Sequence, residues 1–282
     1  MTVFPLSFTL GPLQITGYGL MMMVGFLAAG WVIHVQLQER GMNIDYAADV
    51  VWAAVIGGIV GAKLWYMAIT PGAPFFSRGG LVWYGGFIGG FLAVMFNGIR
   101  RKVPTRFTMD LTAPAICIGY VLGRVGCFMV QDDYGFPTSL PWGMQFPRGL
   151  PPTTALSLNT NFGVPIPEGT QPMELLAVHP TQLYEVALML VAFAVLWRFR
   201  RHAHGAGWLM GLYLVFAGTE RFLIEFLRAK DDRIFGAFTI AQATSIGLVV
   251  IGLTFMTIWS KRDELKIPKD SALNPAPEPK PA

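Results

Sequence analysis

The sequence predicts an all-α integral membrane protein of about seven transmembrane helices with a small extracytoplasmic cap. Three observations carry that prediction. Of the 282 residues, 53% are hydrophobic and only 13% charged, with a mean hydropathy of +0.49; soluble domains carry nearer a quarter charged residues. Apolar runs of about 20 residues, enough to cross a bilayer, recur along the chain. The basic residues outside those runs sort into alternate connections, thirteen on one side and five on the other.

The first run is residues 17–37. Residues 1–14 contain no Lys or Arg, so this run is expected to be a retained helix rather than a signal peptide, which needs a basic start. The next runs are 47–69, 81–99, 109–130, 180–199, 207–226 and 238–259. On one side fall Arg40; Arg100, Arg101, Lys102 and Arg106; Arg198, Arg200 and Arg201; and Lys261, Arg262, Lys266, Lys269 and Lys280. Opposite them are Arg78, Arg148, Arg228, Lys230 and Arg233. Excess Lys and Arg marks the cytoplasmic side, so the N-terminus is expected outside and the C-terminus inside.

Glycines cluster within runs: Gly57, Gly58 and Gly61; Gly85, Gly86, Gly89 and Gly90; Gly119, Gly123 and Gly126. Small residues at such spacings let helix backbones approach closely in lipid. Residues 131–179, rich in Pro, Thr and Asn, read as a folded extracytoplasmic cap inserted into a membrane domain of residues 1–260. Residues 261–282 form a cytoplasmic tail, Pro- and Lys-rich from 268 and expected to be disordered. Cys117 and Cys127 lie roughly 15 Å apart along one predicted helix, too far to bridge. No metal-ligand spacing or cofactor motif is present, and none is expected. The formal charge of +4 reflects membrane anchoring and is poor evidence for nucleic acid.

Four polar features interrupt the apolar body. Arg124 follows a stretch from Leu111 to Gly123 without a charge. An arginine there costs about 2.5–3.5 kcal/mol, so it needs a partner, water or a ligand. Its planar fork of donors is suited to phosphate, which points to phospholipid. Lys63 lies well inside its run. Glu220, Arg221, Glu225 and Arg228 form the third feature; Arg221 with Glu225 (i,i+4) and Glu225 with Arg228 (i,i+3) share a helical face. Asp132 and Asp133 form the fourth. Under the expected topology Arg124, the acidic pair and Arg221 all lie toward the extracytoplasmic half. Each feature also has a plainer reading: a structural ion pair, a solvated turn at a helix end, or a snorkelling lysine. Spacing within helices does not prove convergence between them.

At these residues the chain resembles a family. Gly123-Arg124-Val125-Gly126-Cys127-Phe128, continuing to Gly135, is similar to the G-R-x-G-N-F-x-N-x-E-x-x-G signature of bacterial phosphatidylglycerol–prolipoprotein diacylglyceryl transferases. Tyr18-Gly19-Leu20 resembles the family's Y-G-L, Gly61-Ala62-Lys63 its G-[AG]-R, Tyr84-Gly85-Gly86 its H-G-G, and Asp110 to Pro114 its D-x-x-A-P. His179-Pro180-Thr181-Gln182-Leu183-Tyr184-Glu185 resembles H-P-[ST]-Q-L-Y-E, and Arg221 to Arg228 resembles R-F-x-[IV]-E-F-x-R. The likeness covers about residues 5–260.

The resemblance implies transfer of diacylglycerol from phosphatidylglycerol to the lipobox cysteine of a prolipoprotein, the first step of lipoprotein maturation. A thioether forms and glycerol phosphate leaves. It implies Arg124 and Arg221 as phosphate clamps and Tyr84 at the third catalytic position. Tyr18, Lys63, Asp132, Asp133, His179 and Glu225 are then expected to contact substrate. The chain departs from the signature at Cys127 and Val130, where the family has Asn, at Asp132 for Glu, and at Tyr84 for the histidine proposed there as a base. A phenol is a poor base at neutral pH; His179, Asp132, Asp133 or the phosphate itself are the remaining acceptors. The alternatives are a lipid-binding or lipid-transporting membrane protein, or a catalytically degenerate paralogue on the same fold. The chain shows no convincing inverted repeat of the kind transporters use.

Overall fold

A computed structural model of the chain describes all residues except 12, 73, 75–79, 167, 230–232, 236–237, 263–264 and 276–282. Arg78, Lys230 and Lys280, counted in the topology argument, lie outside the described residues. The order is β1 (Ser7–Leu10), β2 (Leu13–Thr16), α1 (Gly17–Gln38), α2 (Tyr46–Ile69), α3 (Trp83–Arg100), α4 (Thr105–Val130) and α5 (Ala155–Phe162). Then follow α6 (Thr181–Phe199), α7 (Trp208–Ile224), β3 (Arg233–Phe235), β4 (Phe238–Thr239) and α8 (Ile240–Ile258). The strands form two short antiparallel hairpins, β1 with β2 and β3 with β4.

Every expected apolar run is helical over most of its length. Five helices (α1, α2, α4, α6 and α8) are long and apolar enough to cross a bilayer. The protein is therefore a largely α-helical multi-pass membrane protein. Among the other two, α7 has 17 residues and extends about 26 Å, short of a 30 Å hydrocarbon core. α3 has 18 residues, ends in Arg100 and holds Asn97. α4 starts four residues before the apolar run because Phe107 and Thr108 already donate to Pro104 O.

The residues divide into two compact units. One comprises Met1–Gly25, Ile116–Phe199 and Met210–Ile258; the other comprises Phe26–Ala115, Arg200–Leu209 and the described residues from Trp259. α1, α4 and α7 contribute residues to both.

In the first unit, residues 131–179 fold around their own apolar cluster of Tyr134, Phe146, Leu158, Val164 and Val178. The local sequence explains α5 there. Thr154 caps its start by accepting from Ser157 N at 3.3 Å, and Gly163 ends it at φ 66, a conformation open to glycine. In the same unit α7 and α8 meet at small residues: a Cβ on Gly218 would come within 2.6 Å of Ser245 O, and one on Gly252 within 2.6 Å of Gly211 O.

In the second unit α2 and α3 pack through Gly57, Gly61, Gly85 and Gly89. A Cβ on Gly61 would overlap Gly85 O and lie 2.8 Å from Gly89 Cα. Part of the tail expected to be disordered is instead docked: Asn43 N donates to Leu273 O at 2.9 Å, Ala272 N to Arg101 O at 3.0 Å, and Leu273 is buried. Backbone hydrogen bonds and one buried leucine offset the composition that suggested disorder.

Candidate active site

Arg124 lies six residues before the end of α4, in a helix whose signature glycine makes room beside it. A Cβ on Gly126 would come within 3.2 Å of Tyr18 Cα, so the start of α1 lies directly against this turn of α4. The Arg124 guanidinium sits over the Tyr120 ring, 5.1 Å from its centroid, and Nε donates to the Tyr120 hydroxyl at 3.1 Å.

After Val130 the chain turns sharply. Gln131 and Asp133 adopt positive φ, 65 and 60, which costs non-glycine residues energy and is least unfavourable for Asp and Asn. The turn is held from α6: Thr181 Oγ1 donates to Asp133 O at 2.8 Å, and Gln182 Nε2 donates to Asp132 O. Gly135 closes it, donating to His179 O at 2.9 Å; a Cβ there would collide with Leu227 O. That contact requires a glycine at this position.

The turn brings Asp133 to Arg124, and a chain of alternating charges runs on from it. Arg228 Nη2 lies 2.6 Å from Asp133 Oδ1, and Asp133 Oδ2 lies 3.0 Å from Arg124 Nη1. Arg124 Nε is 3.1 Å from Glu185 Oε2, Glu185 Oε1 is 3.8 Å from Arg221 Nη1, and Arg221 Nη2 is 2.7 Å from Glu225 Oε2. Three arginines and three carboxylates are thus strung together from α4, α6 and the end of α7. The link between Glu185 and Arg221 is too long for a hydrogen bond. Arg221 Nη1 is buried and takes no hydrogen bond among the described residues. A buried donor left unmatched costs about 1–3 kcal/mol, more when charged, so this nitrogen marks a place for an acceptor.

The sequence placed Arg228 on one face with Glu225; the structure pairs it with Asp133. α7 ends at Ile224, and the following turns carry Arg228 to a bridge with Gly135, off the helical face. The Arg221–Glu225 pair survives because Glu225 N still donates to Arg221 O at 3.2 Å.

Asp132 and Asp133 have opposite electrostatics. Burial raises the Asp132 carboxyl above the ordinary range, and neighbouring Asp133 adds to it. Burial raises Asp133 too, but Arg228 and Arg124 outweigh it and hold that carboxyl below the ordinary range. Asp132 faces the Cys127 thiol, and its Oδ1 has no hydrogen bond among the described residues. His179, lowered by burial, contacts the Tyr184 hydroxyl at 3.3 Å, which also accepts from Trp142 Nε1 at 2.8 Å.

Arg124, Arg221, Asp132, Asp133, Glu225, His179 and Tyr18 therefore all belong to the first unit, and the first five meet in or beside the charge chain. Lys63 and Tyr84 belong to the second. Lys63 is buried on α2 with Nζ 5.8 Å from the Tyr66 ring centroid. Tyr84, at the start of α3, is 62% exposed and packs edge-on against Trp83.

Glu185 and Tyr120 are central to the geometry but were not among the expected site residues. Glu185 carried a readable signal, as a carboxylate inside the run 180–199, by the same reasoning that singled out Arg124. Tyr120 carried a weaker one, as a hydroxyl one helical turn before the arginine.

The Prolipoprotein diacylglyceryl transferase family profile matches residues 5–258. The chain belongs to this family. It is 32% identical over 273 residues to the phosphatidylglycerol–prolipoprotein diacylglyceryl transferase of Geobacter sulfurreducens, covering 92% of this chain and 96% of that one. Identity to the enzyme of the same name from Xylella fastidiosa strain M12 is 35% over 272 residues, 88% of this chain and 90% of that one. To that from Pseudoalteromonas atlantica it is 30% over 288 residues, 95% and 94%.

Proposed function

We propose that this chain transfers the diacylglyceryl group of phosphatidylglycerol to the cysteine thiol of a prolipoprotein lipobox. Besides family membership, the unmatched Arg221 Nη1 beside Arg124 supports the reading. The hydrogen bonds of Arg124 run from Nε and Nη1, and in this reading both guanidinium groups turn donors to one phosphate. In the reaction the substrate sulfur forms a bond to the glyceryl carbon, the carbon–oxygen bond to phosphate breaks, and its electron pair stays on the phosphate of the departing glycerol phosphate. Arg124 and Arg221 stabilise the charge that grows there, usually the largest catalytic contribution.

The thiol must first lose its proton, since the thiolate is the nucleophile. Asp132 is the acceptor in this reading: burial raises its carboxyl above the ordinary range and it has an oxygen unspent, whereas Asp133 is committed to two arginines. His179 and Tyr18 line the approach, and Glu225 and Asp133 hold the arginines; Lys63 and Tyr84 are assigned substrate contact only by their places in the G-[AG]-R and H-G-G motifs.

The finer architecture belongs to the same reading. Seven helices cross the inner membrane, α3 and α7 included, with the N-terminus outside, the C-terminus in the cytoplasm and residues 131–179 as an outer cap. The basic asymmetry supports it. Reporter fusions after Lys102 and after Asn161 should report opposite compartments; agreement between them refutes it.

The decisive experiment incubates purified protein in phosphatidylglycerol micelles with a lipobox peptide. The peptide should gain one diacylglyceryl mass, and a Cys-to-Ser peptide none. Phosphatidylglycerol binding without transfer would favour a degenerate or lipid-carrying protein.

A further inference from the structure

At the middle of the charge chain stands a carboxylate with no solvent exposure. Glu185, one turn into α6, is the single acid among the described residues that pairs with both Arg124 on α4 and Arg221 on α7. Its Oε1 also accepts from the Tyr120 hydroxyl at 3.3 Å. The outer carboxylates each serve one of those arginines: Asp133 takes Arg124 and Glu225 takes Arg221. Either could hold its own arginine without fixing the distance between the two.

We propose that Glu185 is a positioning residue that sets the separation and aim of Arg124 and Arg221. It presents Arg124 Nη2 and Arg221 Nη1 to one phosphate. The inference rests on the proposed transferase reading and deepens it. Three details favour positioning over simple charge neutralisation. The carboxylate is offset, 3.1 Å from Arg124 and 3.8 Å from Arg221, so it draws the second guanidinium near without occupying its Nη1 donor. Tyr120 restrains the carboxylate through one oxygen, donating to Glu185 Oε1 at 3.3 Å while accepting from Arg124 Nε at 3.1 Å. α6 itself is tied to the Asp132–Asp133 turn through Thr181 and Gln182, so the brace and the turn share one rigid element.

The test uses full-length protein in phosphatidylglycerol micelles, with Glu185→Gln and Glu185→Asp. Gln keeps the shape and removes the charge; Asp keeps the charge but is too short to reach both arginines. We expect kcat/KM to fall about a hundredfold in Glu185→Gln, the scale of a misplacement near 1 Å. In Glu185→Asp thermal stability should return toward the parent while activity stays low. Arg124→Lys and Arg221→Lys should be strongly non-additive in the parent and additive in the Glu185→Gln background. Parental activity in Glu185→Gln overturns the inference, as does activity that returns with stability in Glu185→Asp, or unchanged coupling between the arginines. If the parent protein transfers nothing, the proposed function fails by itself. The inference is then read from protection against thermal unfolding by short-chain phosphatidylglycerol, which should at least halve in Glu185→Gln. Undiminished protection overturns it.

Discussion

The α2–α3 seam and the charge chain around Arg124 solve the same problem by opposite means. Lipid supplies no hydrophobic force between helices, so helices in it must be held by close packing or by polar contact. At the seam, Gly57, Gly61, Gly85 and Gly89 remove side chains until backbone meets backbone. Around Arg124, six charged side chains occupy the space between helices and neutralise one another in sequence. The seam's glycine contacts set backbone against backbone and leave no charged group to match. In the charge chain Arg221 Nη1 and Asp132 Oδ1 remain unmatched. The difference separates an interface built for packing from one built for a reacting ligand.

The sharpest way to break this comparison is Arg124→Gln. If the charge chain were only a polar seam, the loss would fall on stability. On the present reading it falls on transfer as well, by about a hundredfold or more, because a charge-assisted fork is removed from the phosphate. Asp133 and Glu185 would also be left facing each other, and uncovering a buried charge costs about 3–5 kcal/mol. Arg124→Lys should rescue poorly, since a point charge lacks the bidentate geometry. Measuring peptide lipidation by membrane-inserted variants decides the matter; parental turnover in the Gln variant removes Arg124 from the chemistry.

The opposite outcome is expected at the seam. In Gly61→Val the new side chain meets Gly85 O, and overpacking of this kind costs about 1–3 kcal/mol. The variant should unfold at lower temperature in detergent, while its folded fraction keeps transfer activity within about twofold. A specific loss of turnover at full stability would show that the seam also shapes the site.

These two regions also differ in how far the sequence revealed them. Glycines four apart in an apolar run state their own purpose, because helical periodicity puts Gly57 with Gly61 and Gly85 with Gly89 on one face each. The helix limits were legible from the apolar runs, apart from α7, which stops at Ile224, two residues before its run ends. The charge chain depends on contacts between α4, α6 and α7, which no periodicity within one helix encodes. So Arg124, Asp133, Arg221 and Glu225 were recognisable as costly residues, yet the pairing of Arg228 with Asp133 and the central place of Glu185 were not. The docking of Leu273 escaped for a related reason: a Pro- and Lys-rich segment reads as disordered unless its receiving loops are known.

Acid separates the regions more gently. Asp133 has a lowered carboxyl pKa, so its ionised form is favoured by folding. Its contribution to stability is present above the unfolded value near 3.9 and is lost as pH falls through the lower folded value. Thermal unfolding followed from pH 7 down to pH 3 should show an acid decline that is shallower in Asp133→Asn. The uncharged seam has no such dependence, so Gly61→Val should keep the parental slope. An identical slope in Asp133→Asn would place the acid sensitivity elsewhere.

The smallest effect is expected at Tyr84, which stands on a seam helix but was assigned to the chemistry by its place in the H-G-G position. Its ring is largely exposed and packs against Trp83, and among the described residues its hydroxyl takes no protein hydrogen bond. A lipid headgroup is the functional partner that the proposed reaction supplies. A single such bond contributes on the order of 0.5–1.5 kcal/mol, so Tyr84→Phe should lower activity about two- to tenfold without changing stability. Tyr84→His restores the family's usual residue and should at least match the parent. An aromatic anchor at the membrane surface needs only the ring. Full activity in the Phe variant would therefore make Tyr84 an anchor and leave Asp132 and His179 as the groups able to take the thiol's proton.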